Sequence, residues 1–448
     1  GRRHHLPHRT ALHRHLLNMG CRAYYESCPA GLNREQIKSA LSESLAGKSL
    51  RRVLLIPPDY TRCHSGGGLI TNLYYHMLTE QGCQADILPA LGSHYPLTPE
   101  ETAAMFGDIP YETFIPHNWR TDVVKLGSVP GAFLKEKSEG LWDTPIDVEI
   151  NQRVMDHSYD LILSIGQVVP HEVVGMASYS KNLFVGVGGS DMIHKSHMLG
   201  ALYGLERILG RDHTPVRELF DYGLTHYLAD RPIVFVLTVC TVQDDQTRVH
   251  GLFIGNGRKV LEDAIALSQK TNITFLPQGL KKCVAYLDPK EFRSTWVGSK
   301  AIYRVRMAME DDGELLILAP GLHTFGEDPR MDALIRTYGY CGQEKILAAL
   351  RAPEGEALRQ NMGAAAHLIH GSVEGRFRIT FAVGEAFRKD IESVGFSSAD
   401  YEEASRLYDP KKLSPGWQRT PDGEPFYYIP NPAVGLWINR QTFSGGIG

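Results

Sequence analysis

The sequence predicts an α/β fold made of two parallel-sheet, Rossmann-like domains with an active-site cleft between them. Short β-branched runs alternate with amphipathic helical segments, which is typical of parallel sheets covered by helices on both faces. The alternation occurs in two series that are separated near Pro277. The length of 448 residues suits two or three domains of about 150 residues each.

Apolar runs predict the strands, and a period of 3.6 residues predicts the helices. In the first series we predict strands Val53–Ile56, Asp86–Leu88, Leu161–Ile165, Leu183–Val187 and Ile233–Cys240, and helices Ile70–Gln81, Pro215–Tyr227 and Gly257–Lys270. In the second series we predict strands Cys283–Leu287 and Glu314–Leu318, and helices Lys300–Met309, Met331–Tyr338, Gln343–Leu350 and Glu356–His367.

The composition of the chain changes at both ends. Residues 1–18 contain five histidines, four arginines and no acid, and we expect a non-native or disordered leader there. We expect an N-terminal α/β domain over residues 19–276 and a C-terminal α/β domain over residues 277–425. Residues 426–448 read as a tail that packs back on the body.

Several classes of protein are excluded by composition. The net charge of −4 argues against binding to nucleic acid, which needs a dense basic face. The longest apolar run, residues 233–242, is too short to span a membrane. The seven cysteines are scattered, without a CxxC pair, which favours a reducing compartment. We therefore predict a cytoplasmic protein.

Ligands of open parallel sheets bind beyond the carboxyl ends of the strands, and polar side chains follow several predicted strands here. Asp59 and Arg62 follow the first strand, His94 the second and His171 the third. Lys181 comes ten residues after His171. Arg62 can hold a carboxylate or phosphate bidentately. Each residue taken alone also fits a structural role.

Two further positions are weaker signals. His194 and His197 are three residues apart and could bind a metal from one helical face, but such pairs are often incidental. Without an HExxH motif, a zinc hydrolase is a poor fit. Lys300 begins a predicted helix, where it fits either a ligand contact or a solvated lysine.

An arginine and two histidines form the smallest set that could invert a carbon beside a carboxylate. Inversion needs a proton donor or acceptor on each side of the substrate, and histidine has a suitable pKa, near 6.5. The hydrogen at C2 of a 2-hydroxy acid is a poor acid, however. An electrophilic cofactor that accepts hydride would be needed.

The sequence resembles the nickel-pincer-nucleotide lactate racemase family and its 2-hydroxyacid racemase and epimerase relatives. The similarity covers about residues 25 to 350. The stretches that carry it are Asp59-Tyr60-Thr61-Arg62, Gly92-Ser93-His94-Tyr95-Pro96-Leu97-Thr98, Pro170-His171, Lys181, His197 and Lys300. The spacing from His171 to Lys181 and on to His197 makes the resemblance specific.

The resemblance implies a cofactor, pyridinium-3,5-bisthiocarboxylic acid mononucleotide, which holds nickel between two sulfurs and a carbon. Lys181 matches the lysine that tethers it covalently, and His197 matches the histidine that completes the nickel coordination. His94 and His171 match the catalytic acid/base pair. The matching substrate-binding residues are Arg62 and Lys300, together with Asp59, whose role is to support Arg62 or the polarity of the site.

The implied activity is that of an isomerase that inverts C2 of a 2-hydroxy acid. One histidine takes the hydroxyl proton while hydride leaves C2 for the cofactor, the planar keto acid turns, and hydride returns to the other face. The partners implied are a small 2-hydroxy acid and the enzymes that make the cofactor.

The sequence departs from the lactate enzymes in several places, among them Cys63-His64 after Arg62 and Gly92-Ser93 before His94; two other departures bear on the ligands. The Gly-Gly-Arg that precedes their tethered lysine is absent, and Ser178 and Ser180 are candidates for the phosphate contacts. Val297 stands where they carry a glutamine beside the substrate. The change favours a 2-hydroxy acid larger than lactate, with a sugar acid such as D-gluconate ahead of malate or an aromatic hydroxy acid.

Two other classes remain open from the residues. A pyridoxal-phosphate racemase would use Lys181 for a Schiff base, although no motif points to a partner for the pyridine nitrogen. A non-catalytic nucleotide-binding protein would tolerate the loss of both His94 and His171, whereas a racemase would not.

Overall fold

The computed structural model describes residues 13–17, 21–26 and 28–443, and these residues divide into two compact units. The first unit runs to Ser196 and resumes over Leu209–Asn272, and the second contains His197–Ile208 and the chain from Ile273. The division at 272/273 lies four residues before the predicted boundary at 276/277. The transfer of His197–Ile208 to the second unit was not predicted.

The first unit contains eleven strands among the described residues. They are β1 (His13–Leu17), β2 (Cys21–Tyr25), β3 (Arg52–Ile56), β4 (Gln84–Ile87), β5 (Val123–Val129), β6 (Ile146–Asn151), β7 (Leu161–Gln167), β8 (Pro170–His171), β9 (Gly175–Met176), β10 (Ile233–Gln243) and β11 (Gln246–Gly255). The helices that begin in this unit are α1 (Arg34–Leu45), α2 (Gly67–Glu80), α3 (Pro99–Phe106), α4 (Gly131–Lys137), α5 (Ser190–Tyr203), α6 (Pro215–Tyr227) and α7 (Lys259–Asn272).

The main sheet of the first unit has the strand order β1-β2-β11-β10-β7-β3-β4. Strands β10, β7, β3 and β4 pair in parallel, and β11, β2 and β1 extend the sheet in antiparallel pairing. The parallel half confirms the α/β prediction. The antiparallel half was not predicted, because the hairpin of β10 and β11 has no alternating pattern: its residues near the middle are buried on both faces.

The predicted leader overlaps the edge of this sheet. Residues 13–17 form β1, which pairs with β2, whereas residues 1–12 and residue 18 lie outside the described residues. The prediction for residues 1–18 therefore stays untested over most of its length.

The core of the first unit lies where α1 and α2 pack on the sheet. Ile37 and Leu41 of α1 are buried together with Ile70 and Tyr74 of α2, and strand residues such as Leu55 complete the cluster. This packing fixes the strand ends, and with them the loops that carry the predicted site.

The second unit has eight strands and eight helices among the described residues. The strands are β12 (Thr274–Leu276), β13 (Leu280–Tyr286), β14 (Met309–Leu318), β15 (Arg378–Val383), β16 (Ser397–Asp400), β17 (Gly416–Arg419), β18 (Pro425–Ile429) and β19 (Trp437–Asn439). The helices are α8 (Thr295–Gly298), α9 (Lys300–Val305), α10 (Pro329–Tyr338), α11 (Gln343–Arg351), α12 (Glu356–Arg359), α13 (Met362–His370), α14 (Arg388–Ser393) and α15 (Tyr401–Leu407).

The sheet of the second unit has the order β16-β15-β14-β13-β18-β17. Five of its strands are parallel, and β17 is an antiparallel edge. Strand β18 lies inside the sheet beside β13, so the predicted boundary at 425/426 falls within a strand that belongs to the C-terminal unit. Two parallel-containing α/β units thus confirm the predicted fold class.

Candidate active site

Three loops meet at the carboxyl ends of β3, β4 and β7, where parallel sheets bind ligands. The N–H of Ala90 after β4 donates to the carbonyl of Pro57 after β3 at 2.8 Å, and the N–H of Gly92 donates to the carbonyl of Gly186 at 2.8 Å. These two bonds tie the loops that carry Asp59, His94 and Lys181 to one another. The sequence alone predicts the loops but not the bonds.

Asp59 and His94 form a hydrogen-bonded pair across two of these loops. Oδ2 of the buried Asp59 lies 2.6 Å from Nδ1 of His94, and the hydroxyl of Thr61 donates to Oδ1. An ionised carboxylate only accepts hydrogen bonds, so the proton of a neutral His94 ring resides on Nδ1. Nε2 then carries the lone pair. Asp59 supports His94 here, whereas the resemblance implied support for Arg62 or for the polarity of the site.

The pair shifts the pKa of both partners. Burial alone would raise the pKa of Asp59, but hydrogen bonds from His94 and Thr61 and the charges of His94 and Arg62 outweigh it and lower the pKa. The bond to Asp59 raises the pKa of His94, against opposing contributions from burial and from the charges of Lys181 and Arg62. His94 itself is exposed, with 61% of its side chain accessible.

Arg62 lies in a single 3₁₀ turn, Tyr60–Arg62, after β3 and is half-buried. Its charge lowers the pKa of Asp59, His94 and Lys181 alike. The structure thus brings four predicted site residues, Asp59, Arg62, His94 and Lys181, within electrostatic range of one another.

Lys181 precedes a π-helical turn, Asn182–Gly186, where a strand over Leu183–Val187 was predicted. That prediction is wrong, because a short apolar run buried on all sides does not distinguish a strand from a helical turn. Such π turns occur often at functional sites. Burial and the charges of Arg62 and Arg217 lower the pKa of the partly buried Lys181 to about 8. The charges of Asp59 and Glu172 act in the opposite direction and raise this pKa, but their effect is smaller. A substantial fraction of its amine is therefore neutral near physiological pH.

The turn before Lys181 is strained. Ser178 and Tyr179 have φ angles of 74° and 60°, a left-handed region that side chains with a Cβ seldom adopt. Oγ of Ser178 is buried and has no hydrogen-bond partner among the described residues. It lies against Gly166 at the end of β7, where a Cβ would come within 1.9 Å of that oxygen. Glycine is therefore required at residue 166.

Ser180 is fully buried and is held by the protein itself. Its hydroxyl donates to Oδ1 of Asp221 at 2.6 Å and accepts from Nη1 of Arg217 at 2.8 Å. A hydroxyl has one hydrogen, so in this arrangement Ser180 has none to offer a phosphate. Of the two predicted phosphate contacts, only Ser178 keeps its hydrogen available.

His171 lies in the short antiparallel pair of β8 and β9, opposite Gly175. The N–H of Val173 donates to its Nδ1 at 3.1 Å. A neutral His171 ring therefore carries its proton on Nε2, the reverse of the His94 ring. The two predicted acid/base histidines thus hold opposite tautomers.

The remaining predicted residues are assigned to the second unit. His197 lies on α5 and begins the segment that the second unit contributes there, and Lys300 is the first residue of α9. His194, three residues before His197, contacts the ring of Trp119 edge-on at 5.8 Å. Across the described residues, no group of three or more His, Cys, Asp or Glu side chains could hold a metal ion.

Sequence reasoning missed Arg217 and Asp221 on α6. Arg217 is 1% exposed, and Nη2 and Nη1 donate to the carbonyls of Met176 at 2.6 Å and Ser178 at 3.1 Å. The signal in the sequence is an arginine beside the apolar stripe of a predicted helix with an acid four residues later. That pattern indicates that a charged side chain of the helix faces the protein core.

Residues 29–204 match the model of the lactate racemase N-terminal domain, which spans Asp59, His94, His171, Lys181 and His197. Residues 29–204 are thus identified as a lactate racemase N-terminal domain. The resemblance drawn from the sequence is thereby confirmed. No curated protein matches the chain, and none of the described helices is long and apolar enough to cross a membrane.

Two solved structures share the fold of this chain. A structural-genomics crystal structure of a Thermotoga maritima protein is 22% identical, with a TM-score of 0.73 over 91% of this chain and 98% of the other. The lactate racemase apoprotein of Thermoanaerobacterium thermosaccharolyticum is 15% identical, with a TM-score of 0.64 over 90% of this chain and 92% of the other.

Proposed function

We propose that the protein is a 2-hydroxyacid racemase or epimerase that inverts C2 of its substrate with a nickel-pincer nucleotide tethered at Lys181. The match of residues 29–204 to the lactate racemase N-terminal domain supports a racemase-like activity. The observation that carries the finer proposal is the hydrogen-bonded pair of Asp59 and His94, placed within electrostatic range of Arg62 and Lys181.

The residues of the first unit fit the proposed nucleotide in two respects. Attachment needs a neutral amine, because an ammonium has no lone pair, and the lowered pKa of Lys181 supplies one. The buried hydroxyl of Ser178 has a hydrogen available for a phosphate oxygen. When bound, the nucleotide would take up the C2 hydrogen as hydride and return it.

The protein's own side chains would handle the proton of the substrate hydroxyl. His94 presents the lone pair of Nε2 and can accept that proton, with Asp59 stabilising the resulting imidazolium. His171 presents an N–H and suits a hydrogen-bond donor to the C2 oxygen. Arg62 would hold the carboxylate. The roles of His197 as nickel ligand and of Lys300 at the substrate rest on the resemblance.

The substrate we propose is a 2-hydroxy acid larger than lactate, with a sugar acid such as D-gluconate as the leading candidate. Val297, on α8, has an apolar side chain that cannot donate a hydrogen bond. The resemblance implies a glutamine amide at this position in the lactate enzymes. A site that lacks this amide would bind a substrate with additional hydroxyl groups and greater size better than it binds lactate.

Production of the protein together with the enzymes that make the cofactor tests the proposal. We expect the peptide that contains Lys181 to carry the mass of the nucleotide and the protein to contain stoichiometric nickel. A Lys181→Arg variant, which keeps the charge, should carry no adduct. An unmodified Lys181 in a nickel-free protein under these conditions would refute the proposal.

A further inference from the structure

A partly buried ionic cluster lies beside the turn that precedes Lys181. It consists of Arg217, Asp221, Arg258 and Asp212. Arg258 binds Asp212 through two hydrogen bonds, at 2.6 and 3.0 Å, and donates from Nε to Asp221 at 3.1 Å. Asp221 in turn accepts the hydroxyl hydrogen of Ser180. The cluster links α6 and the start of α7 to the turn.

Arg217 makes the direct contacts from this cluster to the turn. Its guanidinium donates to the carbonyls of Met176 and Ser178 and to the hydroxyl of Ser180, at 2.6, 3.1 and 2.8 Å. Three donors of one planar group thus bind three points within five residues. A guanidinium is suited to this because its donors have a fixed geometry.

The contacted turn would not hold its conformation unaided. Ser178 and Tyr179 are consecutive residues in the left-handed region, and such strain persists only where the surroundings impose it. Tyr179 is buried, with its ring 4.3 Å from that of Phe235. The strained pair ends two residues before Lys181, so the path of the turn determines the position of the Lys181 backbone.

We propose that Arg217 is a positioning residue for Lys181: it holds the strained turn and keeps the lysine amine partly buried in its reactive place. This inference rests on the proposed function, because it assigns Lys181 the role of attachment point. Two independent features agree with it. Among the described residues, no carboxylate is bonded directly to the buried Arg217, and the charge of Arg217 is one of those that act on Lys181.

The test follows the reactivity of Lys181 in the protein without cofactor. Trace acetylation with acetic anhydride from pH 6 to 10, followed by peptide mass spectrometry, reports the neutral fraction of the amine. The charged groups that act on Lys181 include Arg62, Arg217, Asp59 and Glu172, and the titratable ring of His94 also interacts with it. The wild type should show a midpoint near the lowered pKa of about 8.

Arg217→Met should move this midpoint upward, because the variant loses both a nearby positive charge and the contacts that limit hydration of Lys181. Below the midpoint, the labelling rate falls about tenfold for each unit of increase in the pKa. Arg217→Lys should fall between the two, since it keeps the charge but not the planar set of donors.

Arg231→Met is the matched control. Arg231 is also a buried arginine, which donates to the carbonyls of Val154 and Asp156, both at 2.8 Å, near the start of β10. Its loss should lower the melting temperature and leave the labelling profile of Lys181 unchanged. A folded Arg217→Met protein with the wild-type profile would overturn the inference.

Two milder variants keep the test decisive if Arg217→Met does not fold. Arg217→Lys and Ser180→Ala each remove part of the contact, and wild-type profiles in both would equally overturn the inference. Attachment of the nucleotide is measured separately, from the mass of the peptide that contains Lys181. A shifted profile in Arg217→Met together with an unmodified wild-type Lys181 after co-production would refute the proposed function while this inference stands.

Discussion

Oδ2 of Asp59 lies 2.6 Å from Nδ1 of His94. The two residues belong to different loops of one sheet edge and are brought together by backbone hydrogen bonds between those loops. The contact fixes which nitrogen of His94 carries the proton and raises the pKa of the ring. It gives the otherwise exposed His94 a defined orientation and a defined proton-accepting nitrogen.

Removal of the carboxylate should therefore lower the pKa of His94. In Asp59→Asn the hydrogen bond to a charged acceptor and its Coulomb attraction are both lost, while the charges of Lys181 and Arg62 continue to oppose protonation. The ring-proton NMR shift of His94 against pH measures the change.

Asp108→Asn is the matched control for this experiment. Asp108 forms a pair with His76 at 2.8 Å on α2, among residues with no predicted role in the site. This variant should leave the titration of His94 unchanged. A His94 pKa that is the same in Asp59→Asn and the wild type would contradict the assigned contact.

Gly166→Ala should destabilise the first unit. The new methyl group would lie 1.9 Å from Oγ of Ser178, and relief of such overpacking costs about 1–3 kcal/mol. Denaturant unfolding measures the loss. In Gly363→Ala, where nothing lies within 4 Å of the added carbon, the free energy of unfolding should change by less than about 1 kcal/mol. Equal stabilities of the two variants would contradict the packing described for Ser178.

His367 of the second unit should make stability fall in acid. Its ring lies between the hydroxyls of Tyr303 and Tyr340, each 2.7 Å away, and burial and the charge of His370 lower its pKa to about 3. The unfolded chain binds this proton near pH 6.5. Between these values the unfolded state binds more protons, so stability decreases as the pH falls, by up to about 1.4 kcal/mol per pH unit.

Urea unfolding at pH 7 and pH 5 checks this. His367→Gln should be less stable at pH 7 and should lose less stability between the two values than the wild type. The same change at the exposed His323 should leave the pH dependence as it is in the wild type. Identical pH dependence in His367→Gln and the wild type would show that His367 is protonated in the folded state at pH 5.

Val297→Gln should shift substrate preference toward lactate. The substitution introduces an amide donor at the position where the resemblance implies a glutamine in the lactate enzymes, and the longer side chain would fill space that the proposed larger acid would use. The ratio of kcat/KM for lactate to that for D-gluconate, measured on protein loaded with the cofactor, reports the change. A ratio that stays the same or falls would show that Val297 does not contribute to substrate selection.

The sequence predicted the parallel strands and the residues that follow them, because a buried parallel strand is a continuous apolar run with polar residues at its end. The prediction failed where the apolar character of a segment does not determine which secondary structure it forms or which domain it belongs to. The run Leu183–Val187 is a π-helical turn, and the apolar residues of β18 continue a sheet whose predicted domain ended earlier.

The polar contacts of the site were beyond prediction for a different reason. The partner of Asp59 is 35 residues away, and the anchor of the turn at 176–180 is Arg217, on α6. Such pairings depend on how loops and helices come together in space, and no local period in the sequence records them. The family resemblance supplied the candidate site residues without these contacts.

The central claim is tested most directly with a 2-hydroxy acid that carries deuterium at C2. The protein, loaded by co-production with the cofactor enzymes, is incubated in ordinary water with deuterated D-gluconate or lactate, and the C2 stereoisomers are separated by chiral chromatography and analysed for deuterium by NMR. We predict inversion at C2 with the deuterium retained, and no product from the Lys181→Arg protein. Loss of the deuterium to water, or the absence of any epimer from loaded protein, would contradict the proposal.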